Sequence, residues 1–135
     1  MSPIDQLEWI VEASNRVVAT MSIGHFDEPT PKGSVHEVLD AMFVTAATTA
    51  AMIDGRPVED IAAPFVHGWV PASELAATLD SLMSAAGRND GSAARLLHIT
   101  AAELYGQAAA LAEAVRAPWS PPAELVRAFG PIAAR

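Results

Sequence analysis

The sequence predicts an all-α protein: a four-helix bundle with a longer crossover after the second helix and a short fifth helix near its C-terminus. Two seams carry that expectation. Val35, Leu39, Met42, Ala46, Thr49 and Ile53 recur at alternating steps of four and three, and so do Leu97, Ala101, Leu104, Ala108, Leu111 and Val115. This is the period of a helix face packed lengthwise against other helices. No segment alternates apolar and polar residues long enough to demand a strand, and no repeat of solenoid period occurs. At 135 residues the chain reads as a single domain, 1–135, with one core.

The elements follow in order. Ser2-Pro3 opens a first helix whose inner face is Ile4, Leu7, Val11, Val18 and Met21, with Ser14 as a polar intruder and an end expected near residues 22–24. Glu12 and Arg16 stand one turn apart, as a surface ion pair does. Gly24, Pro29 and Pro31 make 23–32 a turn-rich link. Ser34 with Glu37 three residues later is a capping box that starts the second helix, and Asp54-Gly55 ends it. Residues 56–70 lack periodicity and are rich in apolar and aromatic residues, which suits a segment folded over one end of the bundle. Pro71 opens a third helix with Leu75, Leu79, Leu82 and Ala86 inside. Ser92 is the expected N-cap of the fourth, which Pro118 stops. Ser120-Pro121-Pro122 starts a fifth helix carrying Leu125, Val126 and Phe129, closed by Gly130-Pro131.

Composition narrows the function. A formal net charge of -8 with only eight Lys and Arg argues against nucleic acid, whose affinity comes from neutralising phosphates. There are no cysteines, which removes thiol nucleophiles and Cys-ligated metals and suits a cytoplasmic setting. The longest nearly uncharged apolar run, 41–53, falls short of the ~20 residues of a membrane span, and the first ten residues lack the basic start of a signal peptide. No phosphate loop, H-E-x-x-H zinc motif or nucleophile elbow is present.

Two helical faces hold candidate chemistry. His98, Ala102, Tyr105 and Ala109 place an imidazole and a phenol on one face with small residues between, where they would line a cavity as proton donor and acceptor. The same pattern also suits a satisfied histidine beside a tyrosine at the bundle edge. His36 and Asp40, one turn apart with Phe43 on the same side, form an acid–base pair in which the carboxylate fixes the imidazole tautomer. The alternative is a solvated helix face. His67 and Trp69 stand in the aromatic crossover, where they would contact a ligand as part of a lid, and His25 lies in the opposite link; the alternative for each histidine is a structural role.

Pro29-Thr30-Pro31 followed by Ser34-Val35-His36-Glu37-Val38-Leu39-Asp40-Ala41 resembles the DinB-like superfamily, in particular the N-terminal domain of mycothiol-dependent maleylpyruvate isomerases. Leu96-Leu97-His98 is a second, shorter match. The resemblance implies a four-helix bundle. It also implies a divalent metal held by a histidine late in the second-helix motif, with a histidine or glutamate and another histidine one turn apart on a later helix. Here those positions are Ala41, Ala94 and His98, so only His98 carries over as a ligand, and a single imidazole does not hold a metal.

Three readings follow. The leading one is a DinB-like bundle that binds a small organic molecule without a metal or other cofactor, acting as an acid–base isomerase or rearrangement enzyme. In it His98, Tyr105, His36 and Asp40 are catalytic, and Phe43, His67, Trp69 and Ala102 contact the ligand. The second is a non-catalytic module that forms a homodimer or docks a partner through its apolar second helix. The third keeps a divalent metal, held by some arrangement of His25, His36, His67 and His98, and a thiol-dependent transfer or isomerisation.

Overall fold

The computed structural model describes residues 1–58, 72–89 and 91–133, and the class is all-α. The helices are α1 (Pro3–Ala19), α2 (Val35–Asp54), α3 (Ala72–Gly87), α4 (Ala94–Val115) and α5 (Ala123–Ala133). Both predicted seams face inward: Val35, Leu39, Met42, Ala46 and Thr49 are buried on α2, and Leu97, Ala101, Leu104, Ala108 and Leu111 on α4. Leu75, Leu79, Leu82 and Ala86 join them from α3, and Leu7, Ile10, Val11 and Val17 from α1.

Each of α1 and α2 packs on both α3 and α4, while α5 lies along α4. Hydrogen bonds and clefts fix the directions. Asp54 at the end of α2 receives both bonds of the Arg88 guanidinium just beyond α3, so α2 and α3 run the same way. Thr49 and Thr45 of α2 meet Thr100 and then Glu103 and Gln107 of α4, so these two helices are antiparallel. Pro3 and Ile4 share a cleft with Ala86 and with Ala94 and Leu97, which sets α1 antiparallel to α3 and parallel to α4. Alanine, threonine and glycine on the facing surfaces allow close approach of the rods.

The ends of the helices follow from local chemistry, and here several expectations change. The Ser34–Glu37 capping box forms as read, with Ser34 Oγ accepting from the Glu37 amide at 3.3 Å and the carboxylate accepting from the Ser34 amide at 3.1 Å. Those bonds hold the Glu37 carboxyl below its usual range. Gly55 closes α2 in the left-handed conformation (φ 69°). The first helix stops earlier than residues 22–24: Thr20 is its cap, and the Ser22 amide donates to His25 Nδ1 at 3.0 Å, starting a 3-10 turn over Ile23–His25. The link then makes a two-residue antiparallel pairing that the sequence did not suggest, β1 (Pro29–Thr30) with β2 (Gly33–Ser34). Gly33 at φ 116° permits the tight return.

Ser92 is not the cap of α4. Ala93 occupies that position, and Asn89 Oδ1 does the work by accepting from the Gly91 and Ala93 amides at 2.9 and 3.0 Å. Gly130-Pro131 does not close α5 either. A proline in the last turn forfeits one backbone bond, while Leu125 and Phe129 are fully buried against the core. Ile4 and Val126, expected inside, are exposed, and no ion pair joins Glu12 to Arg16. Buried Ser14 satisfies its hydroxyl on the Ile10 carbonyl at 2.7 Å. Among the described residues no helix is long and apolar enough to cross a membrane.

The left-handed cap of α4 is Arg116 (φ 58°), a conformation that costs a side-chain-bearing residue about 1 kcal/mol relative to glycine. Arg116→Gly should therefore raise stability by about 1 kcal/mol, and Ser34→Ala should lower it by about as much. Both are read as shifts of the urea midpoint at unchanged slope.

Candidate functional site

Past Arg116 the Ala117 amide turns back to the Ala112 carbonyl at 2.9 Å and Pro118 forbids further helix, so Trp119 folds back beside α4. There it meets Tyr105. The rings are T-shaped with centroids 5.5 Å apart, and Trp119 also stands edge-on to Trp9 of α1 at 5.4 Å. Phe129 of α5 lies between Tyr105 (5.6 Å) and His98 (5.4 Å). The face holding His98, Ala102 and Tyr105 is therefore covered by α5 and Trp119: Tyr105 is only 3 % exposed and Ala102 is buried, while His98 sits exposed at the edge of Phe129. Burial pushes the Tyr105 phenol up from its ordinary 10.0, and a hydrogen bond with the Trp119 side chain works in the opposite sense.

Outside that aromatic cluster lies a cleft of about 200 Å³ lined by Trp9, Ala13, Arg16, Pro118, Trp119 and Ser120. Its one charged group is Arg16. Among the described residues that guanidinium has no hydrogen bond or ion pair, since the expected Glu12 partner does not reach it. Arg16 is exposed and lines the cleft alongside the two indoles, so its guanidinium is accessible to an anion.

A second polar constellation runs along the α2–α4 seam. Thr49 and Thr100 share a buried hydrogen bond of 2.7 Å. One turn on, the Thr45 hydroxyl bonds to the Ala41 carbonyl at 2.8 Å and lies 3.4 Å from both Glu103 Oε2 and Gln107 Nε2. Gln107 Oε1 is buried with no hydrogen-bond partner among the described residues. Sequence reasoning passed over Glu103 and Gln107. Their spacing of four was the available signal, but nothing in a single sequence aligns them with Thr45 and Thr49.

His36 and Asp40 lie in the first turns of α2, both half-buried. The His36 amide donates to the Phe26 carbonyl at 3.1 Å, no ion pair joins the two side chains, and Asp40 Oδ1 is buried without a partner among the described residues. Phe43 is half-buried and packs against the core. His67 and Trp69 lie outside the described residues. His25 is occupied by the cap of the 3-10 turn. Because α2 and α4 are antiparallel, His36 near the start of α2 and His98 near the start of α4 stand at opposite ends of the molecule.

The same geometry separates the positions that the resemblance assigns to metal ligands. Ala41 lies towards Gln107, whereas Ala94 and His98 lie towards the other end of the seam, and two of the three carry no donor. Among the described residues no three His, Cys, Asp or Glu side chains converge as metal ligands, so these residues do not fit the family's metal. No family model matches the chain, and no curated protein and no solved structure matches it.

Tyr105 is the one tyrosine of the chain, so its ionisation can be followed without interference by phenolate absorbance. Its folded-state value lies above the unfolded one, so the stability it contributes is complete below pH 10.0 and is lost as pH rises through the folded-state value. The native protein should titrate above 10.0 and the urea-unfolded chain near it. The alkaline stability loss should be smaller in Tyr105→Phe, measured by urea unfolding on either side of that pH.

Proposed function

We propose that the chain is a metal-free four-helix bundle of the DinB-like kind that binds a small organic acid in the cleft between Trp9, Arg16 and Trp119. Four helices around one core and the Pro29–Ala41 motif support the kinship. The observation that carries the ligand class is the unpaired Arg16 guanidinium in a cleft walled by two indoles. Guanidinium and carboxylate match as a bidentate, charge-assisted pair, and indole edges and faces favour a planar ring.

The volume of about 200 Å³ is below the ~300–1,000 Å³ of drug-sized sites and suits a molecule of one ring. Tyr105 does not reach the ligand in this reading. It is a positioning residue whose ring packs edge-on against Trp119 with centroids 5.5 Å apart. Turnover by acid–base chemistry needs a group that exchanges a proton near neutrality, and Arg16, the cleft's one ionisable residue, does not. The function is accordingly read as binding.

Trp9 and Trp119 are two of three tryptophans, so intrinsic fluorescence reports on the cleft. Titration with benzoate should give a saturable change, and benzyl alcohol should bind more weakly. Arg16→Gln should weaken benzoate binding by roughly 10- to 100-fold, the worth of one charge-assisted contact, and leave the alcohol unaffected. A response equal for acid and alcohol, or untouched by Arg16→Gln, would remove this site.

A further inference from the structure

The outer surface of the α2–α4 pair carries apolar side chains that none of the described residues covers. Met52 of α2 is 54 % exposed and Ile99 of α4 is 49 % exposed, and both line one shallow concavity of about 450 Å³ with half-buried Ile53 and Leu96. Isolated exposed apolar residues are ordinary, but two large ones converging on a shared hollow are characteristic of a contact surface.

Charge placement on α4 identifies the occupant. Arg95, Ile99 and Glu103 follow at intervals of four, so they share one face, and all three are exposed. Arg95 has no hydrogen bond or ion pair among the described residues, and the nearest polar contact of Glu103 is the 3.4 Å approach to Thr45. The pattern is basic, apolar, acidic, and therefore complementary to itself when reversed.

We propose that this face binds a second copy of the chain about a two-fold axis passing beside Ile99. Four residues of helix rise about 6 Å, so Arg95 and Glu103 stand that far to either side of Ile99 along the axis. Two copies of α4 laid antiparallel at the usual ~8–10 Å place each Arg95 opposite the Glu103 of the other copy. One contact thus forms two ion pairs around an Ile99–Ile99 centre, with Met52 of each copy at the flank and the hollow receiving the other copy's side chains. This is the isologous geometry of a closed dimer, in which every contact occurs twice. A foreign partner would have to carry the mirror of this pattern, whereas a second copy carries it already. The Trp9–Arg16–Trp119 cleft shares no lining residue with this face, so dimerisation and ligand binding are separable.

Light scattering coupled to size exclusion over a concentration series tests this, with helical content followed by circular dichroism. The native chain should move from monomer to twice the monomer mass as concentration rises. Ile99→Glu should remain monomeric with unchanged helicity. Arg95→Glu and Glu103→Arg should each weaken association about tenfold or more by opposing like charges twice, while the double reversal should restore it to within a few-fold of the native chain. A native chain monomeric throughout overturns the proposal. So does a dimer indifferent to Ile99→Glu, or a double reversal no tighter than the weaker single variant.

Discussion

The structure depends on burying two long stripes of small and aliphatic side chains against each other and against two further helices. Alanine is the working residue of that interior: Ala46, Ala50, Ala101 and Ala108 are buried where α2 and α4 meet the rest of the core. Each alanine removes little apolar area from water, at ~25 cal/mol per Å², so the stabilisation has to come from length and closeness of contact. Leucines at intervals, Leu39, Leu79, Leu104 and Leu111 among them, supply the larger increments.

Close approach leaves little room for polar atoms, and those that remain inside are handled in different ways. Ser14 bonds its own helix, and Thr49 and Thr100 bond each other across the α2–α4 seam. Asp40 Oδ1 and Gln107 Oε1 find no donor among the described residues. A buried acceptor without a donor costs about 1–3 kcal/mol, so these two atoms mark places where the packing of α2 is opposed rather than helped. Both lie on or beside the helix that carries the most apolar stripe, whose burial outweighs that cost.

The C-terminal quarter acts as a strap over α4. Arg116 takes the left-handed cap, Trp119 folds back, and Leu125 and Phe129 seat α5 on the face that holds His98 and Tyr105. Chain reversal therefore converts what would be an open polar face into an aromatic seam. It also creates the cleft that Arg16 shares with Trp9 and Trp119, because Trp119 arrives beside Trp9 only after that turn. The cleft is a by-product of how the strap is anchored, and Arg16 stands at its edge without Glu12 as a partner.

Local chemistry determined much of this protein. The inward stripes, the Ser34–Glu37 cap, the Gly55 stop and the all-α class are readable from the sequence because each depends on residues within a turn or two of one another. What the tertiary structure alone decided is which faces meet. The antiparallel match of Thr45 with Glu103 and Gln107, the burial of Tyr105 under Trp119 and Phe129, and the convergence of Met52 with Ile99 join residues far apart in the chain. Periodicity says which side of a helix is apolar. It says nothing of the direction in which the neighbouring helix runs, and that direction decides which polar groups find partners and which remain free to bind something else.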